Sequence, residues 1–126
     1  MKSVVYDAGV LIAADRSERR VWAEHRVRLE AGHVPIVPAF VVAQVSRAPD
    51  QVQLRRLLRG CEVVAFTETD AHQAGTLLGK SRTTDVVDAA VVAVAVRRRA
   101  DILSGDRSDI VRLLAAAHAK IGVIDL

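Results

Sequence analysis

Two carboxylates, Asp85 and Asp88, stand three residues apart at the start of the run 83–96, which continues with Ala and Val only. A helix that is apolar on every side must be buried in the middle of its domain. At this spacing the two acids lie on the same helical face. The sequence therefore predicts a central helix over 83–96 that carries two negative charges at its beginning.

Three more acids follow predicted strands. Asp7 comes directly after the short apolar run 2–6, Asp106 follows the predicted strand 101–104 across one glycine, and Asp109 lies three residues further on. In a parallel sheet the carboxyl ends of the strands share one edge, where ligands bind. Helices that run antiparallel to the strands begin at that edge too. We therefore expect all these acids to lie in one small volume.

Clustered carboxylates repel one another unless some are protonated or a cation lies among them. A hard divalent ion with oxygen ligands, Mg²⁺ or Mn²⁺, is the expected occupant. Such an ion activates water and neutralises charge on the leaving oxygen of a phosphate ester. Each acid alone also fits a helix cap or a turn. Their convergence predicts metal-assisted phosphodiester hydrolysis, with Asp7, Asp88 and Asp106 at the site.

Short apolar runs alternate with helical patterns along the whole chain. Strands are predicted at 2–6, 34–38, 61–66, 101–104 and 121–124, and helices at 17–31, 39–47, 51–59, 68–80, 83–96 and 110–119. Alternation of this kind is typical of βαβ units. We expect an α/β fold in one domain over 1–126, with a mostly parallel sheet of about five short strands covered by helices on both faces.

Composition narrows the class of protein. No apolar stretch approaches the roughly 18 residues of a membrane span and no targeting segment is evident, so we expect a soluble, cytoplasmic protein. Cys61 is the only cysteine, which rules out an internal disulfide and fits a reducing compartment. The net charge is +3, and 15 of the 18 basic residues are Arg. Because Arg binds phosphate in a bidentate manner, a nucleic-acid substrate stays open.

Three segments together resemble the PIN-domain ribonucleases, specifically the small VapC-type toxins of bacterial toxin–antitoxin pairs. They are VVYDAGVLIA at the start, DVVDAAVVAVA in the middle and ILSGDRSDI near the end. They occur in the order and spacing of the family, and the resemblance covers essentially the whole chain. It implies a three-layer α/β/α fold, Mg²⁺ or Mn²⁺ dependence and endonucleolytic cleavage of RNA.

The resemblance also assigns residues and partners. Asp7, Asp88 and Asp106 match the principal acids of the family, so they are the implied metal ligands and catalytic residues. Asp85 and Asp109 match accessory acids, and Asp85 joins the catalytic set as a substitute for a missing charge. Family members commonly form homodimers and are silenced by a cognate antitoxin that blocks the site.

The chain departs from the family at two places. The usual second acid is a Glu in the helix after the second strand, and the matching residue is Gln44, which can ligate or hold water but cannot act as a base. The usual Ser or Thr directly before the third acid is displaced, because Gly105 separates Ser104 from Asp106. Both Gln44 and Ser104 remain accessory candidates, and the departures raise the question of activity.

Two other functions compete with the ribonuclease. A degenerate PIN domain would bind RNA or a protein partner without cutting, and Gln44 favours it. A phosphotransfer domain with Asp7 as nucleophile is the third reading, but Gly9 stands where haloacid-dehalogenase-like proteins need a second Asp. For RNA binding, the arginines expected near the acidic edge are Arg16, Arg82 and Arg107.

Overall fold

Twelve elements alternate along the chain in the computed structural model, which describes residues 3–126. In order they are β1 Val4–Tyr6, α1 Ala8–Asp15, α2 Arg19–Glu30, β2 Ile36–Pro38, α3 Ala39–Val45, α4 Val52–Arg59, β3 Glu62–Val64, α5 Glu68–Ser81, α6 Val86–Arg98, β4 Asp101–Ser104, α7 Arg107–Ala116 and β5 Val123–Asp125.

The five strands form one parallel sheet in the order β3-β2-β1-β4-β5. The connections step from β1 to β3 in one direction and from β3 to β5 in the other. Right-handed crossovers therefore place α1 to α4 on one face and α5 to α7 on the opposite face. The prediction of a three-layer α/β/α fold with a parallel sheet is confirmed.

Helix α6 is the centre of the core. Its seven residues from Ala89 to Ala95 have no exposed surface, and the helix packs on β1, β2 and β4. Small Ala and Val side chains allow this close approach, and Ala also has the highest helix propensity. The interpretation of this run as the buried central helix is correct.

Several element boundaries differ from those expected. Helix α6 begins at Val86 because the side chain of Asp85 caps it, three residues later than predicted. Helix α7 begins at Arg107 rather than residue 110, so it brings Asp109 into its first turn. The predicted start of the first strand, Lys2, lies outside the described residues, and β1 itself begins at Val4.

The strand order reverses between β1 and β4, which pair directly through Val5 and Ile102. Asp7 follows β1 and Gly105 follows β4, so the two neighbouring strands end at the same point of the same sheet edge. A crevice outside the carboxyl ends at such a switch point is where open α/β sheets bind ligands.

Candidate active site

An open cleft of about 340 Å³ lies at this switch point. Its polar lining residues are Asp7, Gln44, Asp85, Asp88 and Asp106. They come from four parts of the chain: the starts of α1 and α6, the last turn of α3 and the turn after β4. The fold thus brings together five side chains that the sequence singled out.

Asp7 is fixed by the helix that it begins. It is the N-cap of α1, and its Oδ1 accepts a hydrogen bond from the backbone N–H of Val10 at 3.3 Å. Its side chain is buried, with 4 % exposure. A Cβ at Gly9 would lie 3.3 Å from that same Oδ1, so glycine keeps space beside the carboxylate.

The two acids of α6 have different surroundings. Asp85 Oδ1 accepts hydrogen bonds from the backbone N–H groups of Val87 at 3.0 Å and Asp88 at 3.1 Å, which makes Asp85 an ordinary N-cap. Asp88 is 7 % exposed, and its Oδ2 has no hydrogen-bond partner among the described residues. A buried carboxylate oxygen without a partner is costly unless a ligand satisfies it.

Three acids come closest to one another. Carboxylate oxygens of Asp88, Asp106 and Asp109 all lie within 4.8 Å, whereas Asp7 lines the same cleft outside this trio. The sequence ranked Asp109 as accessory and Asp7 as a ligand. The apolar periodicity places the start of α7 at residue 110, after Asp109. In the structure α7 begins three residues earlier, and Asp109 lies in its first turn.

Ser104 contacts two of the acids, Asp7 and Asp106. It is fully buried at the end of β4, and its Oγ accepts a hydrogen bond from the backbone N–H of Asp106 at 2.9 Å. The same hydroxyl is hydrogen-bonded to the carboxylate of Asp7. Ser104 therefore orients both neighbours although Gly105 separates it from Asp106.

Mutual repulsion and burial perturb the acids. Burial, which is the largest cause, and the charges of Asp85, Asp106 and Asp7 together raise the pKa of Asp88 to about 7. Burial also raises the pKa of Asp7, against the hydrogen bond from Ser104. The pKa of Asp106 is raised by desolvation and by Asp109. The surroundings of these carboxyl groups thus disfavour their ionisation.

These pKa values predict a pH dependence of stability. In metal-free protein the native state binds more protons than the unfolded chain between about pH 4 and 7, so stability falls as pH rises through 7. We expect the melting temperature in EDTA to be several degrees higher at pH 6 than at pH 8, a difference of about 1–2 kcal/mol. Thermal unfolding followed by circular dichroism measures it, and a flat profile over this range contradicts the assignment.

The three arginines expected near the acids lie in different places. Arg82 is exposed in the short segment between α5 and α6, a few residues from Asp85. Arg107 follows Asp106, but its Nη1 donates to the carbonyl of Val123 at 2.9 Å. Arg16 ends α1, about 12 Å of helix away from Asp7, so it does not lie at the acidic edge.

Comparison with known protein families agrees with the family resemblance seen in the sequence. A model described as the PIN domain matches residues 4–113, which includes every element from β1 into α7. The chain belongs to the PIN domain family. No curated protein matches it significantly.

Solved structures share this PIN fold. VapBC2 from Rickettsia felis bound to a promoter DNA fragment has a TM-score of 0.69 at 11 % identity, covering 98 % of both chains. A toxin–antitoxin complex from Klebsiella pneumoniae has a TM-score of 0.67 at 17 % identity, covering 85 % of this chain and 89 % of that one. FitAB bound to IR36 DNA has a TM-score of 0.68 at 14 % identity, with 97 % and 94 % covered. At identities this low, the structural similarities establish the fold alone.

The acidic cleft of this PIN domain fits a divalent metal ion. Its donors are carboxylate oxygens, which Mg²⁺ and Mn²⁺ prefer. The oxygens of Asp88, Asp106 and Asp109 are close enough to bind one ion, and Asp88 Oδ2 lacks any other partner among the described residues.

Within residues 3–126, none of the helices is long and apolar enough to cross a membrane.

Proposed function

We propose that this PIN domain is a metal-dependent endoribonuclease of the VapC type, the toxin of a toxin–antitoxin pair. The observation that carries the proposal is the buried Asp88: its Oδ2 has no hydrogen-bond partner among the described residues, and its carboxylate lies within 4.8 Å of the carboxylates of Asp106 and Asp109. A structural cap would not leave a buried oxygen unsatisfied beside like charges. Residues 1–126 form one PIN-like domain in this proposal.

Asp7, Asp88 and Asp106 are the proposed ligands of Mg²⁺ or Mn²⁺, with Asp109 able to join them. When bound, the ion supplies an activated water and a positive charge that stabilises the leaving oxygen of a phosphodiester. Asp85 holds the first turn of α6 in place through its two backbone hydrogen bonds. It adds negative charge to the same cleft without being a ligand itself.

The other polar residues orient groups in the cleft. The hydroxyl of Ser104 fixes the Asp7 carboxylate and the backbone of Asp106, so both acids keep their positions as charge builds up nearby. Gln44 brings a neutral amide to the cleft wall, where it can donate to a phosphate oxygen or hold a water. Arg82 and Arg107 are the proposed RNA contacts. Arg16 is not included, because it lies at the far end of α1.

The structures that share the fold support an antitoxin as a proposed partner. The complexes from R. felis and K. pneumoniae are described as VapBC2 and as a toxin–antitoxin complex. We infer a cognate antitoxin, a homodimer and a cytoplasmic location for this protein as well. The toxin would then become active when it is released from that antitoxin.

A second function remains in contention because of Gln44. This residue lines the cleft at the position matching a family Glu, so the cleft has one carboxylate fewer than expected. A weaker metal site would favour a non-catalytic module that binds RNA or a protein. The two functions differ in whether purified protein cuts RNA.

Cleavage of a mixed RNA pool tests the proposal. We expect purified protein to cut the pool with Mg²⁺ or Mn²⁺ and to stop in EDTA, with Asp7→Asn as a folded, inactive control. Absence of cleavage in either metal, together with no metal binding by calorimetry, would favour the non-catalytic module. Cleavage that persists in EDTA would exclude the metal mechanism.

Gln44→Glu is expected to tighten Mn²⁺ binding about three- to tenfold, because it adds a carboxylate to the wall of the cleft. Isothermal titration calorimetry measures the change. Gln53→Glu, which makes the same chemical change outside the cleft, is the control. Equal Mn²⁺ affinity in the parent and Gln44→Glu would place residue 44 outside the metal site.

A further inference from the structure

A second pocket, of about 360 Å³, lies between α2 and the end of α4, and none of its lining residues lines the acidic cleft. Its chemistry is basic and aromatic where the cleft is acidic. The lining residues that matter are Trp22, His25, Arg26, Arg56, Arg59 and Gly60.

His25 is the buried polar residue of this pocket. It is 3 % exposed, and its Nδ1 lies 2.8 Å from the hydroxyl of Tyr6. Its Nε2 has no hydrogen-bond partner within residues 3–126. That atom lies 3.1 Å from the place a Cβ at residue 60 would occupy, so Gly60 keeps open the space in front of it.

The neighbours of His25 decide its tautomer. Arg28 Nη1 donates to the Tyr6 hydroxyl at 3.3 Å, and a guanidinium cannot accept a proton back. The Tyr6 hydroxyl is buried, so its own proton must go to His25 Nδ1. Burial and the charge of Arg28 lower the pKa of His25, which keeps the ring neutral. Its remaining proton is then on Nε2, as a donor directed into the pocket.

Three arginines line the same pocket as this donor. Arg26 and Arg59 are exposed and have no hydrogen bond or ion pair with any described residue. Arg56 lies with its guanidinium carbon 5.2 Å from the centre of the Trp22 ring. The last turn of α4 favours basic residues at positions 56 and 59, but Arg26 lies in the middle of α2. Glu30 is the single acid in the lining.

We propose that this pocket binds a phosphate group carried by a nucleotide, with an oxygen on His25 Nε2 and others on Arg26 and Arg59. Donors that line one pocket from α2 and α4 suit a tetrahedral anion with several oxygens, and guanidinium groups match phosphate in a bidentate manner. A carboxylate has only two oxygens for the same donors. The volume of the pocket falls in the range of small-ligand sites, which leaves room for the nucleoside.

Trp22 is the only tryptophan of the chain, so its fluorescence reports on this pocket. Metal-free protein in EDTA is titrated with AMP, with inorganic phosphate and with adenosine. We expect saturable changes with AMP and phosphate and none with adenosine. A short RNA with and without a 5′-phosphate, titrated in the same way, distinguishes a free nucleotide from the end of a strand.

Three variants test the residues. Arg26→Gln and Arg59→Gln should each weaken AMP binding about tenfold, and Gly60→Ala should abolish it by placing a methyl group against His25 Nε2. Gly60 has φ −89° and ψ 0°, which alanine also adopts, and the new Cβ would meet only side-chain atoms, Leu29 Cδ1 at 3.0 Å and the His25 ring at 3.1 Å, so this variant should fold. Arg55→Gln is the matched control, because Arg55 lies on α4 outside the pocket and donates to the carbonyl of Pro49.

The outcomes are decisive without any cleavage assay. A response to adenosine equal to that of AMP, or equal weakening in Arg55→Gln, would overturn the phosphate site. A saturable response to a glutamate-rich peptide but not to AMP would instead assign the pocket to an acidic protein partner and overturn the proposal. Since all titrations omit metal, failure of the nuclease proposal leaves this result unaffected.

Discussion

Asp88→Asn is expected to lose RNA cleavage by at least about 10²–10³-fold and yet to unfold at a higher temperature than the parent in metal-free buffer at pH 8. The loss follows because the variant removes a charged oxygen from the trio with Asp106 and Asp109. The gain follows because burial and neighbouring acids oppose ionisation of Asp88. A neutral amide relieves that opposition, stabilising the apo-protein by about 1–2 kcal/mol.

Opposite changes in activity and stability are what separates a functional acid from a structural one. RNA cleavage in Mg²⁺ and thermal unfolding in EDTA measure the two effects on the same preparation. Asp50→Asn controls for net charge, since Asp50 is exposed and outside the cleft, and should change neither. If Asp88→Asn melts earlier than the parent, Asp88 supports the fold; if it cleaves normally, the cleft is not the nuclease site.

Much of this fold follows from local sequence signals. The Ala and Val run after Asp88 has no polar face, which is possible only for a helix enclosed by other elements. Thr67 and Asp70 form the capping box that their three-residue spacing predicts. The starts of α6 and α7 were misplaced by about three residues, because apolar periodicity marks where a helix is buried and a cap marks where it begins.

The site was less predictable than the fold. Convergence of Asp7, Asp88 and Asp106 follows from strand and helix order alone, whatever the side chains do. Which oxygens come closest depends on rotations at the helix starts, and these bring Asp109 into a trio with Asp88 and Asp106 that does not include Asp7. The pocket around His25 gave no sequence signal, because its Tyr6 contact joins residues 19 positions apart.

Asp70→Ala is expected to destabilise the protein by about 2–3 kcal/mol, although Asp70 lies outside both pockets. The side chain is fully buried between α5 and α6. Its Oδ2 accepts hydrogen bonds from the backbone N–H of Thr67 at 3.1 Å and from Arg97 Nη2 at 3.2 Å, and its Oδ1 lies 3.1 Å from Arg97 Nε. Alanine removes both the capping box and these charge-assisted bonds, which accounts for the magnitude. Urea denaturation measures the loss.

Removing the other partner should cost more. Arg97 is 41 % exposed, so water can solvate it when Asp70 is gone, whereas Asp70 is 1 % exposed and would stay buried and charged in Arg97→Ala. We expect Arg97→Ala to destabilise by about 3–5 kcal/mol. Glu68→Ala, in the same turn of α5 but on an exposed pair with His72, should change stability by less than about 0.5 kcal/mol.

The order of the two variants tests the physical account of this ion pair. If the interaction were a surface contact, Asp70→Ala and Arg97→Ala would cost similar, small amounts. A buried carboxylate makes the two costs unequal, and the double variant Asp70→Ala/Arg97→Ala should then be more stable than Arg97→Ala alone, because it no longer buries an unpaired charge. A double variant less stable than Arg97→Ala would show that the packing of Asp70, rather than its charge, holds α5 against α6.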